Sequence, residues 1–383
     1  MMDEITASLA LRHTRGLGAR TWKRLVTAYG TAQAAAEDWR HWAERRLASA
    51  AVAQSFGAAA WREAVQAEMQ AARRLSARIV PWSDAAYPPL LRAIADPPIL
   101  LYIQGRPELL SGPCVAVVGS RRPSRYGTDV AHAISRDLAR AGVCVVSGLA
   151  VGIDRAAHQG ALPEVGSSCA VLGTGMDLVY PAGHRELWQR LAQDGVLVTE
   201  FAPGTRPEGR NFPYRNRIIS GMSLGVVVIE AALRSGTAVT AALALTQGRE
   251  VFVVPGPVTA ETFHGSHQLL RDGATLVQSG ADVLRELTEP LRRYAGDPSV
   301  RTPESGAVPA SPAPPSASPP PAFPSEDARA VWQCLHPEDA RHVDAVAQTL
   351  GWDAGRVSAA LLLLEMEGLV RQTPGMYYTA LRG

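Results

Sequence analysis

The chain has 383 residues, with 38 Lys+Arg against 36 Asp+Glu and a formal net charge of +2. That length allows roughly two or three domains, and so even a balance excludes a whole-surface polyanion binder, so a nucleic-acid site must be a local patch. Lys23 is the only lysine, which rules out a Walker A Gly-Lys-Ser/Thr loop and leaves almost no scope for lysine Schiff-base chemistry.

Cys114, Cys144, Cys169 and Cys334 form no CxxC pair, so they read as reduced, buried thiols and no metal site is expected. Residues 1–14 lack the apolar core of a secretory leader, and no apolar run approaches the roughly 18 residues needed to span a bilayer. A soluble cytoplasmic protein with no membrane partner is expected.

Residues 1–80 are alanine-rich with helical spacing and read as an all-α, helix-hairpin-helix or SAM-like domain. Its Gly16-Leu17-Gly18 turn, with Arg20 and Lys23 close behind, can offer N–H groups and charge to a phosphate, or can be a plain packing unit. Residues 81–110 carry Pro81, Pro88, Pro89, Pro97 and Pro98 and read as an extended connector.

From 111 to 290 short apolar runs alternate with helical stretches. Strands are expected at 115–118, 143–147, 169–172, 196–199, 225–230, 251–254 and 274–277, with helices such as 127–141, 184–193 and 237–247 between them. Continuous apolar strands favour a parallel sheet covered on both faces, so the fold class is α/β with a Rossmann-like core. Ligands of such sheets bind beyond the carboxyl ends of the strands.

The segment 291–325 is rich in Pro, Ala and Ser and reads as a linker. Residues 326–383 predict three helices and a two-stranded wing turned at Pro374-Gly375, which is winged-helix grammar. Its third helix is poor in basic residues, so a protein partner suits it as well as DNA does.

The loops after the strands carry the chemistry. Gly119-Ser120-Arg121-Arg122, with Arg125 just beyond, precedes a helix and suits an anion. Ser147–Asp154 is built of small residues. Asp154 and His158, at i and i+4, read as a cap and its packing neighbour rather than as an acid–base pair. Gly173-Thr174-Gly175 lacks the third glycine of a dinucleotide loop.

In 200–220, Arg206, Arg210, Arg215 and Arg217 alternate with Phe212 and Tyr214, cations and rings of the kind a single-strand groove requires. Alanine at Arg121 or Arg217 is expected to weaken binding and leave the fold intact. Ser235-Gly236-Thr237 opens another helix able to face an anion.

Taken in order, VGSR at 118–121, SGLAVGID at 147–154, AVLGTGMD at 170–177, PGTRP at 203–207, FPYRNRIISGMS at 212–223, SGT at 235–237 and VVPGP at 253–257 resemble the DNA-processing protein A family (DprA/Smf). The resemblance implies a non-catalytic recombination mediator without a cofactor. Such a protein binds and protects incoming single-stranded DNA, helps load RecA recombinase in natural transformation, and is a homodimer through the Rossmann-like domain.

The motif match puts Gly119, Ser120, Arg121, Arg206, Phe212, Asn216 and Arg217 in the DNA groove. His184 and His267 stand where the family often has asparagine, and count as further candidate contacts with a pH dependence. Two rivals stay open. One is a nucleotide phosphoribohydrolase-like enzyme, whose fuller PGGxGTxxE pattern is absent. The other is a duplex-DNA binder led by the winged helix.

Overall fold

The computed structural model describes residues 2–294, 323, 325–335, 341–367, 369–373 and 377–380. They fall into two compact units, divided between Thr302 and Pro303.

The first unit begins with helices Glu4–His13, Ala19–Tyr29, Ala32–Glu37, Ala50–Gly57 and Arg62–Arg74. Asp3, Thr31 and Ser49 cap three of them, each accepting a hydrogen bond from a first-turn N–H. A sheet follows, made of β1 (Arg78–Pro81), β2 (Leu100–Gly105), β3 (Cys114–Val118), β4 (Cys144–Ser147), β5 (Ser168–Val171), β6 (Val196–Thr199), β7 (Gly225–Val228), β8 (Glu250–Val253) and β9 (Thr275–Leu276). Its order is β1-β2-β6-β5-β4-β3-β7-β8-β9. From β6 to β9 every pairing is parallel; only β2 runs against its neighbours. The seven strands expected from the apolar runs all form, within a few residues of their expected ends.

The 81–110 stretch is not a connector. Its Leu-Leu-Tyr-Ile-Gln-Gly run forms β2, which pairs Tyr102 with Thr199 and Ile103 with Val198. The prolines mark boundaries instead. Pro81 ends the outermost strand, where a missing N–H is tolerated, and Pro89 opens the short helix Pro89–Ala93, where that N–H has no partner anyway.

Nor do the first 80 residues keep a core of their own. Leu9, Leu25 and Trp42 belong to one apolar cluster with Leu100, Tyr102, Ala170 and Leu197 of the sheet. The opposite sheet face is filled by Leu101 of β2, by Cys114, Ala116 and Val118 of β3, and by Ile218 and Ile219 of helix Asn211–Gly221. Cys114, Cys144 and Cys169 are buried free thiols in that layer.

The second unit has helices Glu326–Gln333, Val343–Leu350 and Ala354–Met366, and strands β10 (Arg341–His342), β11 (Val370–Thr373) and β12 (Tyr377–Ala380) in the order β10-β12-β11. The short β10 escaped the sequence reading. Ser325 and Asp353 cap two of the helices, and Val331, Val346, Leu361 and Leu364 form a separate core. The expected wing turn at 374–375, and all of the expected linker except 291–294, 323 and 325, lie outside the described residues. Among the described residues no helix is long and apolar enough to cross a membrane.

Leu101 is fully buried in β2. Leu101→Ala is therefore expected to cost about 2–5 kcal/mol in urea unfolding. A residue in a solvated connector would change stability by no more than about 0.5 kcal/mol, and a result of that size would contradict the strand.

Candidate nucleic-acid interface

The chain leaves β3 toward β4, β5 and β6 on one side and later returns to place β7, β8 and β9 on the other. The loops after β3 and β7 therefore diverge, and a crevice opens between them at the carboxyl edge of the sheet. A cleft of about 630 Å³ lies there. Gly119, Ser120 and Arg121 line it from the β3 loop, Phe212, Arg215 and Asn216 from helix Asn211–Gly221, and Ser235, Gly236 and Thr237 from the start of helix Gly236–Thr246.

The β3 loop is held by a carboxylate from the neighbouring strand end. Glu230 is fully buried and accepts hydrogen bonds from the Ser124 N–H (3.0 Å) and the Ser124 hydroxyl (2.9 Å). The same hydroxyl accepts from Gly127 N and caps helix Arg125–Arg140. Arg121, Arg122 and Arg125 are left exposed around this anchored turn. Glu230 is not among the residues that the sequence marks as a site. The usable signal was an acid at the end of an apolar parallel strand, since such a group must find a donor nearby.

Across the cleft, Ser235 caps helix Gly236–Thr246 by accepting from Ala238 N. Asn216 donates to the Gly236 carbonyl at 3.4 Å, which ties this helix start to helix Asn211–Gly221. Both helix N-termini carry partial positive charge toward the crevice.

Two arginines expected in the groove are internal. Arg215 is 3% exposed and donates to the carbonyls of Gly148 (2.7 Å) and Val171. Burial lowers its pKa to about 10, so it remains a cation at neutral pH. A Cβ on Gly148 would lie 2.6 Å from that guanidinium, so only glycine fits there. Arg217 is 4% exposed, hydrogen-bonds Glu200 and lies 3.4 Å from Asp96. A helix that carries Ile218 and Ile219 into the core takes its neighbouring arginines inward with it, and they survive there by pairing. The expectation that Arg217→Ala leaves the fold intact is therefore corrected.

Between these buried cations and the open cleft sits Phe212, half-buried. Its ring lies 5.3 Å from the Tyr180 ring, 6.0 Å from the Arg215 guanidinium and 5.7 Å from that of exposed Arg121. A Cβ on Gly173 would come within 2.8 Å of this ring, so the first glycine of the Gly-Thr-Gly turn makes room for Phe212. Arg206 and Arg210 are exposed on the loop whose Pro207 and Gly209 line the cleft, and Arg210 pairs with Glu208 at 2.7 Å.

The Asp154 and His158 pair is structural, though in a different way from the one expected. Asp154 accepts from the N–H groups of Gly148 and Ala150, and burial raises its carboxyl pKa. His158 does not bond to it. His158 Nε2 accepts from Leu149 N, so Nδ1 carries the proton and donates to Ser168 Oγ, which in turn donates to the Val145 carbonyl. Burial, then the nearby His184 and Arg215 charges, lower the His158 pKa to about 3.

His184 is buried as well and donates from Nδ1 to the Leu149 carbonyl. Leu149 takes φ +56°, and the two imidazoles fix its N–H and C=O. His184 is thus a loop support, not a surface contact. His267 is half-buried and bonds the Gly256 carbonyl away from the cleft. Gly16, Gly18 and Arg20 are exposed on a different part of the surface, while Lys23 is turned inward to the carbonyls of Ile94 and Ala95.

Two outcomes are expected. Arg217→Ala strands the Glu200 carboxylate and lowers stability by about 3–5 kcal/mol at neutral pH. The loss should shrink in acid, because burial already raises the Glu200 pKa and a proton can replace the lost partner; an unchanged urea midpoint would refute the pairing. For His158, the ring is neutral in the fold down to about 3 but takes a proton near 6.5 when unfolded. Its contribution is present above 6.5 and is lost as pH falls through that window, by at most about 1.4 kcal/mol per pH unit. Asp154 and Glu200 act in the opposite sense, so the test is the difference in pH–stability slope between the wild-type protein and His158→Gln.

Comparison with known proteins places this geometry. Residues 78–288 match the family model for DNA recombination-mediator protein A, and residues 311–376 match that for the DprA winged helix domain. Protein Smf of Escherichia coli is 40% identical over 302 residues, covering 78% of this chain and 76% of its own. DNA processing protein DprA of Streptococcus pneumoniae is 44% identical over 203 residues, or 53% of this chain and 72% of its own. The X-ray structure of the S. pneumoniae protein superposes with a TM-score of 0.67 at 33% identity, over 75% of this chain and 99% of that one. A Helicobacter pylori DNA processing protein A, described with its single-stranded DNA binding mode, superposes with a TM-score of 0.50 at 30% identity, over 53% of this chain and 93% of that one. The chain belongs to the DNA recombination-mediator protein A family.

Proposed function

We propose that this chain is a cytoplasmic, homodimeric mediator that binds single-stranded DNA across the cleft between β3 and β7, protects it, and helps load RecA recombinase on it in natural transformation and DNA repair. The observation that carries the binding step is the division of charge at the cleft. Exposed Arg121 lines a floor made of Phe212 and the start of helix Gly236–Thr246, and exposed Arg122, Arg125, Arg206 and Arg210 lie on the two loops that supply lining residues or just beyond them. The acids nearest that floor, Glu230 and Asp154, are engaged with backbone N–H groups. Cations that follow a backbone, beside a ring on which a base can stack, suit a single strand of any sequence. The H. pylori relative, described as binding single-stranded DNA, adds to this reading.

The dimer reading is supported by an apolar surface beyond β8. Leu233 and Val258 are more than half exposed there and line a depression of about 530 Å³ together with His267 and Leu270. Loss of the dimer in Val258→Asp by light scattering, with an unchanged melting curve, is the expected outcome. A binding rather than catalytic role fits the engagement of Asp154 and His158 in loop hydrogen bonds. Release of free base from nucleoside monophosphates would overturn it.

The winged-helix unit offers little support for a duplex binder. Its exposed Arg356, the one arginine on helix Ala354–Met366, is paired with Asp327 at 2.7 Å.

Salt-titrated gel retardation tests the main proposal. Single strands should bind more tightly than duplex, with affinity falling steeply as salt rises. Arg121→Ala should weaken binding of all sequences and reduce the salt slope by about one. Phe212→Ala should lose roughly 1–3 kcal/mol of stacking; because the ring is half-buried, its melting temperature should drop as well. Unchanged affinity in both variants would sink the groove. RecA loading predicts a shorter lag in RecA's single-strand-dependent ATP hydrolysis, and no effect on that lag would remove it.

A further inference from the structure

The cleft extends well past Phe212. Tyr180, from the segment after β5, lines one end, and Thr262, from the segment after β8, lines the other. Four strand spacings of about 4.8 Å separate β5 from β8. The two ends differ. At the Thr262 end Glu261 is exposed, and the Tyr126 hydroxyl is engaged with the Pro255 carbonyl at 3.0 Å. At the other end the Tyr180 ring is 47% exposed, and its hydroxyl has no hydrogen-bond partner among the described residues. The backbone around it is held all the same. The Leu178 carbonyl accepts from Thr174 Oγ1 at 3.1 Å, and the Pro181 carbonyl accepts from His184 N at 3.0 Å. The ring leans on Phe212, with centroids 5.3 Å apart. A base between two rings needs about 3.5 Å on each face, so none fits between Phe212 and Tyr180, and the exposed side of Tyr180 is the open one.

Two cations stand beyond that ring. Arg155 of helix Ile153–Ala161 and Arg185 of helix Arg185–Asp194 are exposed, and neither is paired with an acid among the described residues. Burial, and then the Arg155 charge, lower the His184 pKa, which puts Arg155 beside the turn that carries Tyr180. Arg185 directly follows His184, and exposed Glu186 lies about 100° further round the helix. Resting on the single-strand reading above, we propose that Tyr180 is a second stacking platform, on which the strand lays one unstacked base as it leaves the cleft, and that Arg155 and Arg185 hold the phosphates that follow. An aromatic face next to unpaired cations takes a base and its backbone without regard to sequence. The opposite end sets exposed Glu261 against a phosphate, so the strand leaves over β5 and not over β8.

The test uses the full chain and an oligothymidine strand with 5-iodouracil in place of thymine, crosslinked by ultraviolet light and mapped by mass spectrometry. An adduct at Tyr180 is expected beside any at Phe212. Tyr180→Ala should weaken binding of the unmodified strand about tenfold, and Tyr180→Phe should bind as the wild-type protein does. The double variant Arg155→Ala/Arg185→Ala should reduce the salt slope by about two with an unchanged melting curve. Should Tyr180→Ala also melt earlier, the adduct at Tyr180 in the wild-type protein decides. Adducts confined to Phe212, with full affinity in Tyr180→Ala, would overturn the platform while the main groove stands, and an unchanged salt slope in the double variant would overturn the exit path. A wild-type chain that retards no single strand would overturn the single-strand reading and this proposal with it.

Discussion

A guanidinium buried beneath the cleft ties the ends of two strands together. Arg215 donates to the Gly148 carbonyl beyond β4 and to Val171 at the end of β5, and it stands under Phe212. A charge in that position is tolerated because its donors meet oriented carbonyls and because buried Asp154 lies nearby to balance it. Asp154 in turn gathers the N–H groups of the same loop. The floor of the cleft is therefore a polar network closed on itself, and the loop backbone has few ways to rearrange without exposing an unpaired group.

That closure explains how a chain of net charge +2 can carry a cationic patch. The acids that line the cleft point inward, Glu230 to Ser124 and Asp154 to the β4 loop, and Glu200 beyond it is turned to Arg217. Removed from the surface, these three leave Arg121, Arg122 and Arg206 outside, while Arg210 is paired with exposed Glu208 and Arg125 lies 3.8 Å from Asp129. Arg121 joins the two populations, since it is exposed and yet lies against the Phe212 ring that Arg215 supports. Arginine suits both duties, as a planar, weakly hydrated cation that survives burial against carbonyls and also stacks on rings.

The histidines show the same economy of the interior. His158 and His184 hold the N–H and the C=O of Leu149, and so the two peptide units that flank it, where a positive φ would otherwise be costly for a branched side chain. Any pH response they confer acts on the integrity of the loop, not on a contact with ligand.

Much of this was legible in the residues. The apolar runs specified the parallel strands, because a strand buried on both faces needs nothing but apolar side chains. The small and basic loops after them marked the binding edge, because a parallel sheet collects those loops at one end. Composition could not say which arginines stay outside. Arg215 and Arg217 read the same as Arg206 and Arg210 until the helix is packed and its inward face is known. The proline-rich 81–110 likewise looked open because proline marks strand ends as readily as it marks linkers. Pairing partners such as Glu230 with Ser124 and Glu200 with Arg217 lie 106 and 17 residues apart. Local sequence therefore determined the elements and the edge at which they bind, whereas only the tertiary structure decided which charges are spent inside and which face the solvent, since burial is a property of packing and not of residue type.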